Sequence, residues 1–390
     1  MLEELRPHWR SDGALPDRIE RLLRGDRRLG SRDRRLYREL IYTTLRYLPW
    51  IEPTLDSAPE EAESLIAWLC AETPSTRGFR AEVGAGRLPC PETTAAKAAL
   101  LGADPDRLLP GWLPGECPEA FAPLQRDALC SRSPLWIRLQ TDDPASVRAE
   151  FAARGWTASP SPLLPGAWAI GTEADLTATE SFQYGRFEVQ DVGSQLILAA
   201  AGIEPGGRWL DACAGAGGKT LQLASLLGPA GRVDAFDLRR EALNELLRRA
   251  GRAGLADRRI FVPSVLAPAY DGVLVDAPCS GSGTWRRQPH LKWTTTPAAV
   301  ADYARRQAAL LEEFAPRVRP GGRLIYATCS LCRSENEAVV GRFLAASAEF
   351  IAASWPQPRG GEPRPPAGLR FWPADHNGDG FFAAAFRRRG

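Results

Sequence analysis

Residues 209–220 read WLDACAGAGGKT. An apolar pair leads to an aspartate, then three glycines fall within four positions (Gly215, Gly217 and Gly218), then Lys219 and Thr220. The pattern is a buried strand that turns through a glycine-rich loop into a helix, the usual way a fold brings backbone close to a nucleotide. The ending GKT suggests a phosphate loop, but that loop needs a glycine at the position held here by Cys213. The match to a phosphate-loop ATPase therefore fails. The dinucleotide fingerprint G-x-G-x-x-G matches at Gly215 and Gly217, with Thr220 in place of the third glycine. Asp237 ends the next apolar run, GRVDAFD, about 20 residues on, where an acid holds ribose hydroxyls. A ribose without a pyrophosphate describes S-adenosyl-L-methionine. The bland alternative is a plain strand–helix turn.

Outward from this stretch the chain alternates. GRWLDACA, GRVDAFD, RRIFVPS, DGVLVDAP and GGRLIYATCS read as strands, and 218–228, 239–253, 298–315 and 334–348 as helices, with DGFFAAAFRR as a last strand. The fold class expected is α/β, a doubly wound Rossmann-like sheet. Upstream, PLWIRLQ, GWTAS and AWAI with an intervening helix predict a small α/β unit over 134–185. Residues 14 to about 50 carry helical spacing, Leu36, Leu40, Ile41, Leu45 and Leu48, with Ser31 as a candidate cap. Residues 51–133 read as helical and loop-rich, and 355–368 as a Pro/Gly-rich loop.

At 390 residues, with 44% hydrophobic and 25% charged content, the chain has room for two or three domains. No apolar run reaches the ~20 residues that span a bilayer, so the cytoplasm is the expected site and no membrane partner is expected. Eight scattered cysteines do not make a disulfide framework, and with three histidines no metal site is expected. Cys329 and Cys332 have CxxC spacing, which admits a redox pair. Net charge is +2, distributed as +4 over residues 1–50, −6 over 51–133 and +5 over 181–345. Two positive regions suit a nucleic-acid partner as well as a solvated surface. Only three lysines occur, Lys97, Lys219 and Lys292, among 49 basic residues.

Two further stretches carry chemistry. In VDAPCSGSGTWRRQPHLKW (275–293) an acid, Asp276, and a thiol, Cys279, leave a buried strand at the carboxyl edge of the sheet. In YATCSLC (326–332) Cys329 leaves another, followed by SENE (334–337), which reads as a capping box that would set Cys329 near a helix N-terminus. A strand-end cysteine is often only a small buried hydrophobe. Two of them with an aspartate beside a nucleoside site suit methylation of cytosine at carbon 5. A thiolate adding at carbon 6 makes carbon 5 nucleophilic, and an acid on N3 and the exocyclic amine stabilises the developing charge.

At these residues the sequence resembles the Sun/Fmu family of RNA 5-methylcytosine methyltransferases. FEVQDVGSQLILAA (187–200), DACAGAGGKT, DAPCSGSGTWRRQPHLKW, YATCSLCRSENE and DGFFAAAF (379–386) match its motifs in order. SRDRRLYRELIYTTLRYL resembles the NusB-like helical domain of the bacterial 16S rRNA member. The resemblance implies a class I methyltransferase sheet over 186–390, an RRM-like subdomain over 134–185 and an RNA-binding NusB-like domain over 1–133. It implies Cys329 as nucleophile and Cys279 in product release, with Asp276 and Lys219 completing the catalytic set. It assigns the cofactor, S-adenosyl-L-methionine, to Cys213, Ala214, Gly215, Ala216, Gly217, Gly218, Lys219, Asp237, Ser264 and Asp276. Ala216 stands where the family usually has proline, and Ser264 where it usually has an aspartate for the adenine amine. Arg286, Arg287 and Lys292 are expected to hold RNA phosphates. The partner expected is rRNA ahead of tRNA, and the chain a monomer. An RNA-binding assembly factor with weakened methyl transfer is the alternative.

Overall fold

The computed structural model describes residues 1–171 and 173–390. They form two compact units. One is Met1–Ser133 with Thr284–Pro297, the other Pro134–Gly283 with Ala298–Gly390.

The first unit is helical. In α1 (Leu15–Gly25) Leu15, Ile19 and Leu23 recur every four residues and are buried. They pack with Leu5, Trp9, Ile41, Leu45 and Leu48, the last three from α2 (Ser31–Arg46) and the turn after it. The start of α2 differs from expectation. Ser31 is its first residue, and the Asp33 carboxylate accepts the Gly30 N–H at 2.9 Å. The Arg-rich faces of α1 and α2 and the loop between them stay exposed at Arg24, Arg27, Arg28, Arg32 and Arg35.

The segment 284–297 completes this unit and was not anticipated as part of it. Trp285, Lys292 and His290 are 0%, 1% and 2% exposed. Lys292 Nζ donates to the carbonyls of Arg46 at 2.8 Å and Leu108 at 3.2 Å. Arg286 donates to the Arg132 carbonyl at 3.2 Å and accepts from Arg46 through its own carbonyl at 3.1 Å. Lys292 and Arg286 therefore spend their donors on buried backbone. This corrects the expectation that they hold RNA phosphates, since a charge so buried cannot reach one. Of the three residues proposed for that task, Arg287 alone is exposed.

The second unit holds two sheets. Strands β1 (Leu135–Leu139), β2 (Ala158–Pro160), β3 (Ala167–Ile170) and β4 (Phe187–Val189) form an antiparallel sheet in the order β2-β3-β1-β4. One helix, Pro144–Ala153, lies between β1 and β2, capped by the Asp143 carboxylate on the Ser146 N–H. A shorter one, Glu180–Gln183, lies between β3 and β4, which makes a split βαβ topology. β4 carries this sheet to Val189, beyond residue 185.

The larger sheet contains β5 (Gly207–Asp211), β6 (Gly231–Ala235), β7 (Ile260–Phe261), β8 (Tyr270–Asp276), β9 (Val318–Thr328), β10 (Phe350–Ala352), β11 (Glu362–Arg364), β12 (Gly368–Phe371) and β13 (Phe381–Arg388). Its order is β11-β12-β13-β9-β8-β5-β6-β7, with β10 paired to β13. β7, β6, β5, β8 and β9 are parallel, and β13 runs antiparallel to β9. Side chains alternate between two cores. Trp209, Leu274 and Ile325 face one with Leu196, Leu221 and Leu246, while Leu210, Val273 and Leu324 face the other with Leu311, Phe314 and Val339. β7 is only two residues long, shorter than the apolar run RRIFVPS suggests. β11 is a strand inside the expected Pro/Gly loop, and its proline suits its place at the sheet edge.

Strand order reverses at β5, which has β6 on one side and β8 on the other. The crevice at the carboxyl ends of these strands is where an open α/β sheet binds ligands. No helix among the described residues is long and apolar enough to cross a membrane.

Candidate active site

The loop after β5 is shaped by two glycines. Gly217 has φ +88°, and a Cβ there would stand 2.8 Å from Leu246 Cγ, so only glycine fits. Gly215, at φ +51°, donates its N–H to Asp237 Oδ2 at 2.8 Å. Asp237 thus ties the end of β6 to the glycine loop. Burial pushes its carboxyl up, but the Arg239 guanidinium and the amides of Arg239 and Gly215 outweigh burial and hold it below the usual range. The Ala216 carbonyl accepts from Arg249 at 2.9 Å, and Arg249 is anchored on the buried Glu188, also at 2.9 Å. Neither residue was singled out from the sequence. Their partners lie 33 and 61 positions from Arg249, so no local spacing signals them.

Asp211 was also missed. It ends β5, is 1% exposed, and accepts from Thr220 at 2.7 Å through Oδ2. Its Oδ1 is buried and meets no hydrogen-bond partner of ordinary geometry among the described residues, though the Cys213 amide acts on the carboxyl to lower it. Burial pushes this carboxyl up to about 7. An under-satisfied carboxylate oxygen beside a glycine loop fits the ammonium of a methionine group. At Gly218 an added Cβ meets nothing closer than Gln190 at 3.9 Å, so the backbone there is open to close approach. These observations fit S-adenosylmethionine held by 213–219, with Asp237 towards the ribose. Cys213 is mostly buried, and burial pushes its thiol up. Ser264 is exposed just past β7.

Lys219, in the first turn of the helix Gly218–Leu227, reaches back over the sheet edge. Its Nζ is 2.8 Å from Asp276 Oδ2 and lies 5.0 Å from the centroid of the Phe381 ring. Asp276 ends β8, and Cys279 follows three residues later. Cys329 follows β9, which pairs in parallel with β8 (Asp276 opposite Ala327). Adjacent parallel strands end at the same edge, so residues 50 positions apart meet there, with Cys279 Sγ 3.2 Å from Cys329 Sγ. The Cys279 thiol is held well above its usual range, first by its hydrogen bond to Cys329 and then by burial.

The two thiol loops are stitched through Gly283. Its N–H donates to the Cys329 carbonyl at 2.9 Å, and its carbonyl accepts from Gly380 at 2.8 Å. Three chain segments thus share one backbone junction.

Two readings of the 329–337 stretch are corrected. The helix begins at Glu337 with no side-chain cap, so SENE is not a capping box. Asn336 instead accepts from Thr328 at 2.7 Å and donates to the Ser330 carbonyl at 2.8 Å. Cys332 is fully buried with its Sγ 3.6 Å from Ser282 Oγ, and the thiol that Cys329 meets is Cys279.

Comparison with known proteins adds a family. Residues 199–387 match the model of the 16S rRNA methyltransferase RsmB/F family. A ribosomal RNA small subunit methyltransferase B from Xylella fastidiosa is 34% identical over 309 residues, covering 76% of this chain and 70% of its own. A probable enzyme of the same name from Synechocystis is 31% identical over 296 residues, covering 72% of this chain and 66% of its own length. Among solved structures, a methyltransferase homologue from Pyrococcus horikoshii superposes with a TM-score of 0.59 at 25% identity, over 76% of this chain and 98% of that one. NSun6 from the same organism shares the fold, with a TM-score of 0.60 at 20% identity over 70% of this chain and 96% of that one.

Proposed function

Because this chain belongs to the 16S rRNA methyltransferase RsmB/F family, we propose that it methylates carbon 5 of a cytosine in ribosomal RNA. S-adenosylmethionine supplies the methyl group. The observation that carries the reading is the 3.2 Å approach of Cys279 and Cys329 beside the Lys219–Asp276 pair. A lone strand-end cysteine needs no chemical role, whereas two in contact at a cofactor crevice support one.

In this reading Cys329 Sγ adds to carbon 6 of the cytosine, forming a C–S bond. The electron pair of the 5,6 double bond moves to carbon 5, which takes the methyl group. Asp276, oriented by Lys219, contacts N3 and the exocyclic amine as charge develops there. Transfer of the carbon-5 proton to water restores the double bond and expels the Cys329 thiolate, and Cys279 assists this release. The base must be unstacked or single-stranded to enter. The exposed arginines of α1 and α2 add affinity for RNA that weakens with salt.

Cys329→Ala is expected to abolish methyl transfer to unmodified rRNA, and Cys279→Ala to accumulate a covalent protein–RNA adduct resolved on a denaturing gel. Bisulfite sequencing of rRNA from cells with and without the protein locates the cytosine. A Cys329→Ala protein that still transfers methyl groups would sink the proposed nucleophile.

A further inference from the structure

Glu335 is fully buried and has no ion-pair partner among the described residues. Its carboxylate is the meeting point of the two thiol loops. Oε1 accepts the Ser280 N–H at 2.8 Å and Gln307 Nε2 at 3.0 Å. Oε2 accepts the hydroxyls of Ser280 and Ser330, each at 2.5 Å. Ser280 follows Cys279 and Ser330 follows Cys329, so each thiol is flanked by a serine bound to the same oxygen. Gln307, on the helix Pro297–Phe314, also donates to the Pro278 carbonyl at 2.9 Å, on the other side of Cys279. The Glu335 carbonyl accepts from Tyr326 at 2.5 Å, which fixes its backbone to β9.

All four side-chain bonds are accepted, the pattern of an ionised carboxylate. Burying such a group without a cation is costly unless its oxygens are hydrogen-bonded. Here those bonds come from both thiol loops, so the carboxylate ties the two loops to one point. Building on the thiol chemistry proposed above, we propose that Glu335 is a positioning residue that locks Cys279 against Cys329 and helps keep the proton on Cys279. Held so, the two sulfurs sit 3.2 Å apart, and the Cys279 thiol keeps its proton. The negative charge of Glu335 acts on Cys279 in the direction that retains this proton. Among the described residues, Tyr326 on β9 also feels Glu335, with Arg342 acting on it in the opposite direction, and the helix Pro297–Phe314 meets the carboxylate through the neutral Gln307.

The test is Glu335→Gln in the full chain. The amide can donate to both serine hydroxyls and preserve the loops while removing the charge. Iodoacetamide alkylation of Cys279, followed by peptide mass spectrometry across pH, is expected to show a midpoint lower by about one pH unit. The kcat for methyl transfer is expected to fall at least about ten-fold with KM for S-adenosylmethionine unchanged. A folded Glu335→Gln protein with an unshifted alkylation midpoint overturns the proposal. Should that variant not fold, Ser280→Ala and Ser330→Ala each remove one arm, and an alkylation profile unchanged in both overturns it equally. The alkylation readout needs no RNA, so its failure is distinct from that of the nucleophile assignment, which Cys329→Ala tests.

Discussion

Replacing Gly283 by alanine strikes the junction of the catalytic loops. A Cβ on Gly283 would stand 2.0 Å from the Gly380 carbonyl oxygen, 2.6 Å from its carbon and 2.9 Å from the Cys329 carbonyl oxygen. All three are backbone atoms and cannot rotate away. Real Cβ atoms essentially never approach closer than 3.0 Å, so one of three segments must move by roughly 1 Å or more in a close-packed interior. That movement breaks or stretches the two backbone hydrogen bonds made by Gly283. Leaving buried partners unsatisfied costs about 1–3 kcal/mol each, and overpacking adds about 1–3 kcal/mol. The expected loss is about 3–9 kcal/mol by urea denaturation. A 1 Å displacement of Cys329 from Cys279 is expected to lower methyl transfer about 100-fold even in the folded fraction. Gly341 provides the opposite case within the same unit. It sits exposed in the helix Glu337–Ala346, and a methyl group added there would meet nothing within 4 Å. Gly341→Ala is expected to stabilise by about 0.5–1 kcal/mol. The reasoning is refuted if Gly283→Ala unfolds within about 1 kcal/mol of wild type and keeps its activity.

Two further outcomes follow from buried titratable groups. Burial lowers the His290 imidazole to about 4 from an ordinary 6.5, with the Gly13 backbone opposing weakly. The unfolded chain then binds more protons than the folded one as pH falls from 6.5 towards 4, so stability drops across that window by about 2–3 kcal/mol. His290→Gln is expected to flatten this slope in urea titrations of the first unit. Asp211 is raised to about 7 from 3.8, so its burial penalty grows as pH rises from 3.8 to 7 and is complete above. Asp211→Asn is expected to unfold at higher urea than wild type at pH 8 by a margin of about 2–4 kcal/mol, while binding S-adenosylmethionine at least ~10-fold more weakly by calorimetry. Equal affinity would remove Asp211 from the cofactor cradle.

The alternation of the second unit was legible because its causes are local. A strand buried on both faces is a continuous apolar run, and glycines punctuate where it turns. WLDACAGAGGKT, VDAPC and YATCS each announce a strand end with chemistry on it, and the parallel order brings those ends to one edge. Lys219 stood out because lysine is rare here, and in the structure all three lysines are buried. In an Arg-biased chain the compact ammonium remains where a long planar fork would not fit.

What only the tertiary structure decided has long-range partners. Arg286 and Lys292 follow Cys279 closely and read as phosphate ligands, yet carbonyls 154 and 246 positions away claim their charges. Glu335 lay unremarked inside a stretch that read as a capping box, and serines from two different loops turned it into a hub. Gly283 resembles any other loop glycine until Cys329 and Gly380 close on it from separate segments. Local pattern determines which elements form and what leaves their ends. Which donor meets which acceptor across a sheet edge depends on packing, and that is where the proposed chemistry of this chain resides.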